Sequence, residues 1–197
     1  MTEVFHSQLG QDRFVFEHFF KDRPHGVFLD IGAYDGVTFS NTLFFEDIGW
    51  RGVCVEPQVE MFQKLRKNRS CVCLCTAIDC ETGVRDFCIV EEPVNGRMLS
   101  GFTSDRHTQF SLTKVTTPTS TIDEVMDLSG FDRVDFCSID VEGAELAVLA
   151  GWDPQKHWID VLTIEDNDND PRLLRMMDAY GYDHVKTLSC DKVFKRR

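Results

Sequence analysis

The sequence predicts an α/β fold built on a mostly parallel seven-stranded sheet, wrapped by helices and closed by a C-terminal antiparallel hairpin. Short apolar runs alternate along the chain with segments of helical period, the pattern of right-handed βαβ crossovers. Four of these runs end on an acid, at Asp30, Glu56, Asp140 and Glu165, so one edge of the sheet gathers carboxylates. The last two strands are separated only by a turn, which forces them antiparallel.

The elements follow in order. Ser7 to Phe20 carries Leu9, Phe16, Phe19 and Phe20 at helical spacing, with Ser7 placed to cap. Val27 to Ile31 is the first strand and stops in the turn Gly32-Ala33-Tyr34-Asp35-Gly36. Thr38 to Ile48 reads as a helix ended by Gly49. Gly52 to Glu56 is the second strand; Pro57 breaks it and opens the helix Val59 to Lys67. Cys71 to Ala77 is the third strand. Val84 to Thr117 reads as a loop-rich, substrate-side insertion holding two short strands, Asp86 to Val90 and Lys114 to Thr117, of a length that often serves as a lid. Ser120 to Leu128 is a helix capped by Thr121 or Ser120. Val134 to Asp140 is a strand, Glu142 to Ala150 its helix, and Ile159 to Glu165 the next strand. Pro171 occupies the first helical position of a segment running to Tyr180. Tyr182 to Leu188 and Lys192 to Lys195 form the hairpin. No repeat or linker interrupts this order, so residues 1–197 read as one domain.

Composition narrows the function. The chain has 197 residues, 42% of them hydrophobic, and a formal net charge of −12. Such a balance disfavours nucleic acid, which needs clustered cations. The two basic stretches, Lys64 to Arg69 and Lys192 to Arg197, read as a solvated helix face and a soluble tail. Eight cysteines occur without a CxxC pair, which favours reduced, structural thiols over zinc or a disulfide framework. Cys71, Cys73 and Cys75 alternate, so they share one strand face. No apolar run has membrane-spanning length and no leader is evident, which leads us to expect a soluble cytoplasmic protein.

The chemistry concentrates at the carboxyl ends of the strands, where open α/β sheets bind ligands. Asp30-x-Gly32-x-x-Asp35-Gly36 is a strand-end acid followed by a glycine turn that lets a ligand approach the backbone. Taken alone, such a turn serves structure as readily as binding. Glu56 ends the next strand, where a carboxylate can accept both ribose hydroxyls of an adenosine. The pyrophosphate-binding GxGxxG is absent, which counts against a dinucleotide. The cationic sulfonium and ammonium of S-adenosylmethionine instead favour nearby carboxylates such as Asp30, Asp35 and Asp140. Ser138-Ile139-Asp140-Val141-Glu142-Gly143-Ala144-Glu145 places Asp140 in the same cleft. Glu142 and Glu145 are accounted for as well by the helix dipole.

These residues resemble the FkbM family of methyltransferases. The resemblance runs through Phe28 to Ala33 with Asp35-Gly36, Ser40-Asn41-Thr42, Val55-Glu56-Pro57, and Ser138 to Glu145 continuing to Leu149-Ala150-Gly151. Ser7-Gln8-x-x-Gln11-Asp12, Gly49 to Gly52 and Leu99 to Phe102 are similar to one branch of that family. It implies the Rossmann-like class I methyltransferase fold, S-adenosylmethionine as cofactor, and O-methylation of a sugar, polyketide or other hydroxylated small molecule. By analogy Asp30, Gly32 and Asp35 hold the methionine part and Glu56 the ribose, with Ala33, Gly36, Pro57 and Asp140 also in the cofactor site. Ala77, Ile78 or Asp79 flank the adenine. Gln8, Gln11 and Asn41 are placed to close over the cofactor.

Two further roles remain open at this level. Asp140, Asp166 and Asn167 reproduce the oxygen-ligand set of metal-dependent O-methyltransferases and would suit Mg²⁺. The alternative, which we favour, is that Asp166 to Asp170 is a polar loop capping the next helix. The acceptor proton needs a base; Asp140, Glu165 and His107 are the candidates, His107 because it lies in the insertion. Met98, Phe102 and Phe110 read equally as a wall of the acceptor site or as core of the insertion. An NAD-dependent enzyme or a cofactor-binding protein without catalysis are the rival readings. The acceptor and the oligomeric state are not written in the sequence.

Overall fold

A computed structural model describes residues 3–91, 96–102 and 110–197. Seven strands form the main sheet in the order β10-β11-β9-β8-β1-β2-β3. They are β1 (Val27–Ile31), β2 (Arg51–Val55), β3 (Val72–Leu74), β8 (Arg133–Ile139), β9 (Trp158–Glu165), β10 (Tyr182–Leu188) and β11 (Asp191–Arg196). The pairs β1–β2, β2–β3, β1–β8 and β8–β9 are parallel, whereas β11 runs antiparallel to both β9 and β10. This is the sheet the sequence predicts, hairpin included.

The sheet is buried on both faces, as parallel strands require. Leu29 and Ile31 of β1 pack with Val53, Ile139 and Leu162 against the helices α4 (Ile122–Ser129), α5 (Glu145–Ala150) and α6 (Pro171–Ala179). Phe28 and Phe136 face the other way, into an aromatic layer supplied by the N-terminal helix and α2 (Leu43–Asp47). Phe20, Phe45 and Trp50 interlock there with ring centroids 4.8–5.0 Å apart at the Trp50 contacts, a spacing that favours tilted and edge-on pairs.

Several elements are shorter than their hydrophobic period implies. The first helix is α1 (Gln11–Val15), continued by a π-helical turn at Phe16–Phe20. Ser7 does not cap it. The buried Asp12 carboxylate instead accepts the His6 and Ser7 amides and the Ser7 hydroxyl, and Gly10 turns the chain in the left-handed region. Residues 38–42 are loop, because Asp35 accepts the Val37 and Thr38 amides and holds a turn open. The helix after β8 begins at Glu145, since Glu142 and Gly143 both take positive φ. Thr121 caps α4 in a reciprocal box with Glu124, and Asp170 caps α6.

The third predicted strand is divided. After β3 the chain leaves the main sheet at Cys75, and β4 (Ala77–Ile78) joins a second sheet, β4-β7-β5-β6, with β5 (Gly83–Val90), β6 (Gly101–Phe102) and β7 (Leu112–Ser120). Thr76 secures the exit by donating to the Pro118 carbonyl. Among its described residues, the insertion is therefore a small, largely antiparallel sheet whose β5–β7 ladder spans Gly83–Thr119 to Val90–Leu112.

Neither basic stretch is simply solvated. Arg69 and Lys192 are both buried, each against carboxylates. Cys71, Cys73 and Cys75 are half-buried free thiols; Cys71 and Cys73 pack against the aromatic layer. No described helix is long and apolar enough to cross a membrane.

Candidate active site

The carboxyl ends of β1, β2 and β8 meet at the turn after β1. Gly32 (φ +87°) and Ala33 both donate to the Val55 carbonyl at 3.0 Å. A β-carbon at Gly32 would lie 1.8 Å from the Asp140 carbonyl oxygen, so only glycine lets the ends of β1 and β8 close together. Gly36 (φ +81°) presses the far end of the turn onto α3 (Val59–Asn68), where a β-carbon would lie 2.6 Å from Leu65.

Arg69 fixes the loop that follows. Its guanidinium donates to the Gly36 carbonyl (3.2 Å), the Ser40 hydroxyl (3.3 Å), the Thr42 hydroxyl (3.0 Å) and the Glu46 carboxylate (2.5 Å). Asp30 closes this network: it accepts from the Thr42 hydroxyl at 2.6 Å and stands 4.0 Å from Arg69. Burial pushes the Asp30 carboxyl above its ordinary range, against the pull of Arg69 and Thr42.

Two adjoining cavities open at this edge and share Gly32, Tyr34, Met98 and Asp140. The first offers about 640 Å³ of empty space, part of it open to solvent. Glu56, Pro57 and Gln58 line it after β2, Ala77 and Ile78 line it from β4, and Phe87, Met98 and Phe102 reach in from the insertion. Glu56 is 3% exposed. Its two oxygens accept the Tyr34 amide (2.9 Å) and the Gln58 amide (2.8 Å). Burial nonetheless pushes its carboxyl from 4.5 up to about 8, with Asp30 adding repulsion.

The second cavity has about 560 Å³ of empty space, part of it open to solvent, and is lined by Asp30, Asp140, Glu165 and Asp191, with Gln8, Gln11, Ala33, Asn41 and Ser138 around them. No lysine, arginine or histidine is among the described residues that line it. Asp140 faces both cavities. Loss of solvent, then repulsion from Glu165, Glu142, Asp191 and Glu145, holds its carboxyl well above the ordinary range. Carboxylate oxygens of Asp140, Glu142 and Glu165 lie within 4.8 Å of one another. Gln11, from α1, donates to Asp191 on β11 at 2.6 Å and accepts the Leu9 amide at 2.9 Å.

Most of the residues singled out from sequence line these cavities: Gln8, Asp30, Gly32, Ala33, Asn41, Glu56, Pro57, Ala77, Ile78, Asp140 and Glu165. Asp35, Gly36 and Asp79 do not. Asp35 is committed to the Val37 and Thr38 amides. Asp79 is fully buried against the Cys80 amide and Arg85. The metal set Asp140, Asp166 and Asn167 is not assembled. Asp166 pairs with buried Lys192 at 2.5 Å and accepts the Asp170 amide at 2.8 Å, and Asn167 is exposed. The loop thus caps α6, and the acids that do converge with Asp140 are Glu142 and Glu165. His107 lies outside the described residues.

Phe102 walls the first cavity beside Glu56, Met98 lines both cavities, and Phe110 lines neither. Tyr34, Gln58, Phe87, Ser138 and Asp191 also line the cavities, although the sequence pattern does not single them out. Ser138 had a usable signal, since on β8 it shares a strand face with Asp140. Asp191 opens β11 one residue ahead of the strand that the sequence predicts at Lys192 to Lys195.

Comparison with known proteins places the site in a family. The model of the methyltransferase FkbM domain matches residues 30–183. No curated protein matches the chain at a significant level. Among solved structures, the chain resembles a candidate RNA methyltransferase of Pyrococcus horikoshii, PH1948, at 13% identity and a TM-score of 0.47, covering 95% of this chain and 83% of that one. It resembles the 1,6-didemethyltoxoflavin-N1-methyltransferase of Burkholderia thailandensis, solved with S-adenosylhomocysteine, at 14% identity and a TM-score of 0.46, covering 95% and 77%. The FkbM match takes in the glycine turn, Glu56, Asp140 and Glu165 together, and the chain belongs to the FkbM methyltransferase domain family.

Proposed function

We propose that this protein is an S-adenosylmethionine-dependent O-methyltransferase acting on a hydroxylated small molecule or sugar. The observation that carries the reading is the pairing of the two cavities. One presents Glu56 beside an apolar wall; the other is lined by four carboxylates with no cation among its described lining residues. A nucleoside with a sulfonium and an ammonium matches both halves. Glu56 would hold the ribose hydroxyls while Ala77, Ile78, Phe87 and Phe102 enclose the base. Asp140 and its neighbours would face the cationic end. When bound, the cofactor supplies an electrophilic methyl carbon.

Asp140 and Glu165 then have a common task. Their mutual repulsion favours a shared proton while the cavity holds no cation. Positive charge in the cavity offsets that repulsion and leaves Asp140 ionised, ready to take the acceptor hydroxyl proton. The rest of catalysis is placement of that hydroxyl. A divalent ion such as Mg²⁺ has no support from the predicted set, because Lys192 neutralises Asp166.

Calorimetric titration with S-adenosylmethionine, S-adenosylhomocysteine and NAD tests the reading. Binding of the two sulfur nucleotides but not NAD, abolished in Glu56→Ala, is expected. Labelled methyl transfer to hydroxylated acceptors then separates an enzyme from a binding protein. Absence of sulfur-nucleotide binding overturns the proposal.

A further inference from the structure

Ser40-Asn41-Thr42 is a tripeptide with two outward jobs and one inward job. Ser40 and Thr42 are buried and both accept from Arg69, at 3.3 and 3.0 Å. Thr42 also donates to Asp30 at 2.6 Å. The flanking residues are therefore stapled to the protein from behind, and Asn41 between them lines the second cavity. Its amide nitrogen donates to the Ser138 hydroxyl at 2.9 Å. Its amide oxygen is buried and accepts from no described group.

A buried acceptor without a donor is costly, and such a group in a cavity wall marks a place where a ligand brings the donor. The cavity is otherwise rich in acceptors: Asp140 and Glu165 line it with Asn41. A ligand group that satisfies all three is a donor of several hydrogen bonds carrying positive charge.

Resting on the methyltransferase reading, we propose that Asn41 reads the α-ammonium of the cofactor's aminoacyl group through its amide oxygen, with Arg69 as the positioning residue that holds its loop. The orientation follows from Ser138, which occupies the amide nitrogen and turns the oxygen away. Asn41 thereby discriminates a complete S-adenosyl amino acid from a nucleoside thioether lacking the amino-acid end.

The test uses the full chain and two probes, S-adenosylhomocysteine and 5′-methylthioadenosine, titrated calorimetrically into wild type, Asn41→Leu and Asn41→Asp. Loss of one charge-assisted hydrogen bond predicts that Asn41→Leu weakens S-adenosylhomocysteine about 10- to 100-fold while 5′-methylthioadenosine is unchanged. Asn41→Asp keeps an acceptor, and the Ser138 hydroxyl can reverse to donate to it, so this variant retains the preference for S-adenosylhomocysteine. Equal weakening of both probes in Asn41→Leu overturns the proposal in favour of a purely structural loop. Asn41→Asp binding S-adenosylhomocysteine more weakly than Asn41→Leu overturns it too, because the amide nitrogen would then face the ligand's carboxylate. If wild type binds neither probe, the methyltransferase reading itself falls; if it binds both equally, only the role of Asn41 does.

Discussion

Glu56 sets the function of the site against the stability of the fold, and the conflict can be measured. Its carboxyl lies 3% exposed between two backbone amides, with its pKa moved from 4.5 to about 8. Below pH 4.5 the folded and unfolded chains are both protonated at this group. Between 4.5 and about 8 the unfolded chain releases the proton while the folded chain keeps it, so stability falls as pH rises. Above about 8 the loss is complete. A shift of this size has a ceiling of about 5 kcal/mol. Water penetration on ionisation relieves part of it, and a difference of about 2–4 kcal/mol is expected. Glu56→Gln removes the titration. It also sets an amide NH₂ against the Tyr34 or Gln58 N–H, at a cost of roughly 1–3 kcal/mol that does not vary with pH. The slope is therefore the quantity to read. Urea unfolding of both proteins at about pH 5 and about pH 9 should show wild type losing about 2–4 kcal/mol more than the variant. Parallel pH profiles would refute the reasoning, because Glu56 would then titrate alike in both states.

Three further outcomes follow from the same geometry. Lys192→Met strands the Asp166 carboxylate in a buried site and should cost about 3–5 kcal/mol in urea unfolding, with most of it restored by adding Asp166→Leu; no restoration would mean that the pair does not act as a unit. Gly32→Ala combines a left-handed backbone with a β-carbon driven onto the Asp140 carbonyl, so thermal unfolding should show a loss of more than about 3 kcal/mol, and a near-neutral result would disprove the close approach. Asp140→Asn should lower labelled methyl transfer about 10²- to 10⁴-fold and remove the acid limb of its pH profile; an unchanged limb would assign the base to Glu165.

The parallel sheet was legible because each strand is a short apolar run with a hard stop, and strand-end acids survive any error in helix length. Glu56 and Asp140 were found for that reason. What escaped were features set by single side-chain bonds across long separations. Asp12 holds the chain ahead of α1 out of the helix by taking the His6 and Ser7 amides, yet in sequence it looks like an acid in the first turn of a helix. Asp166 is a plausible metal ligand until Lys192, 26 residues later, arrives beside it. Thr76 turns the chain out of the main sheet after β3, in a stretch whose alternation reads as one continuous strand. The insertion's second sheet was hidden because β4 belongs to it by space and to the preceding strand by sequence.

The position of β11 has a consequence for how the molecule is completed. It lies between β9 and β10, although it follows both in the chain. Until it is made, β10 has no partner in the main sheet and β9 presents a bare edge. Asp191, the first residue of β11, also holds the Gln11 amide that braces the N-terminal segment over the second cavity. The glycine turn and the Glu56 pocket draw on segments before β11, whereas the carboxylate-lined cavity takes Asp191 from it. A ligand that fills that cavity would therefore favour the seating of β11 between its two neighbours.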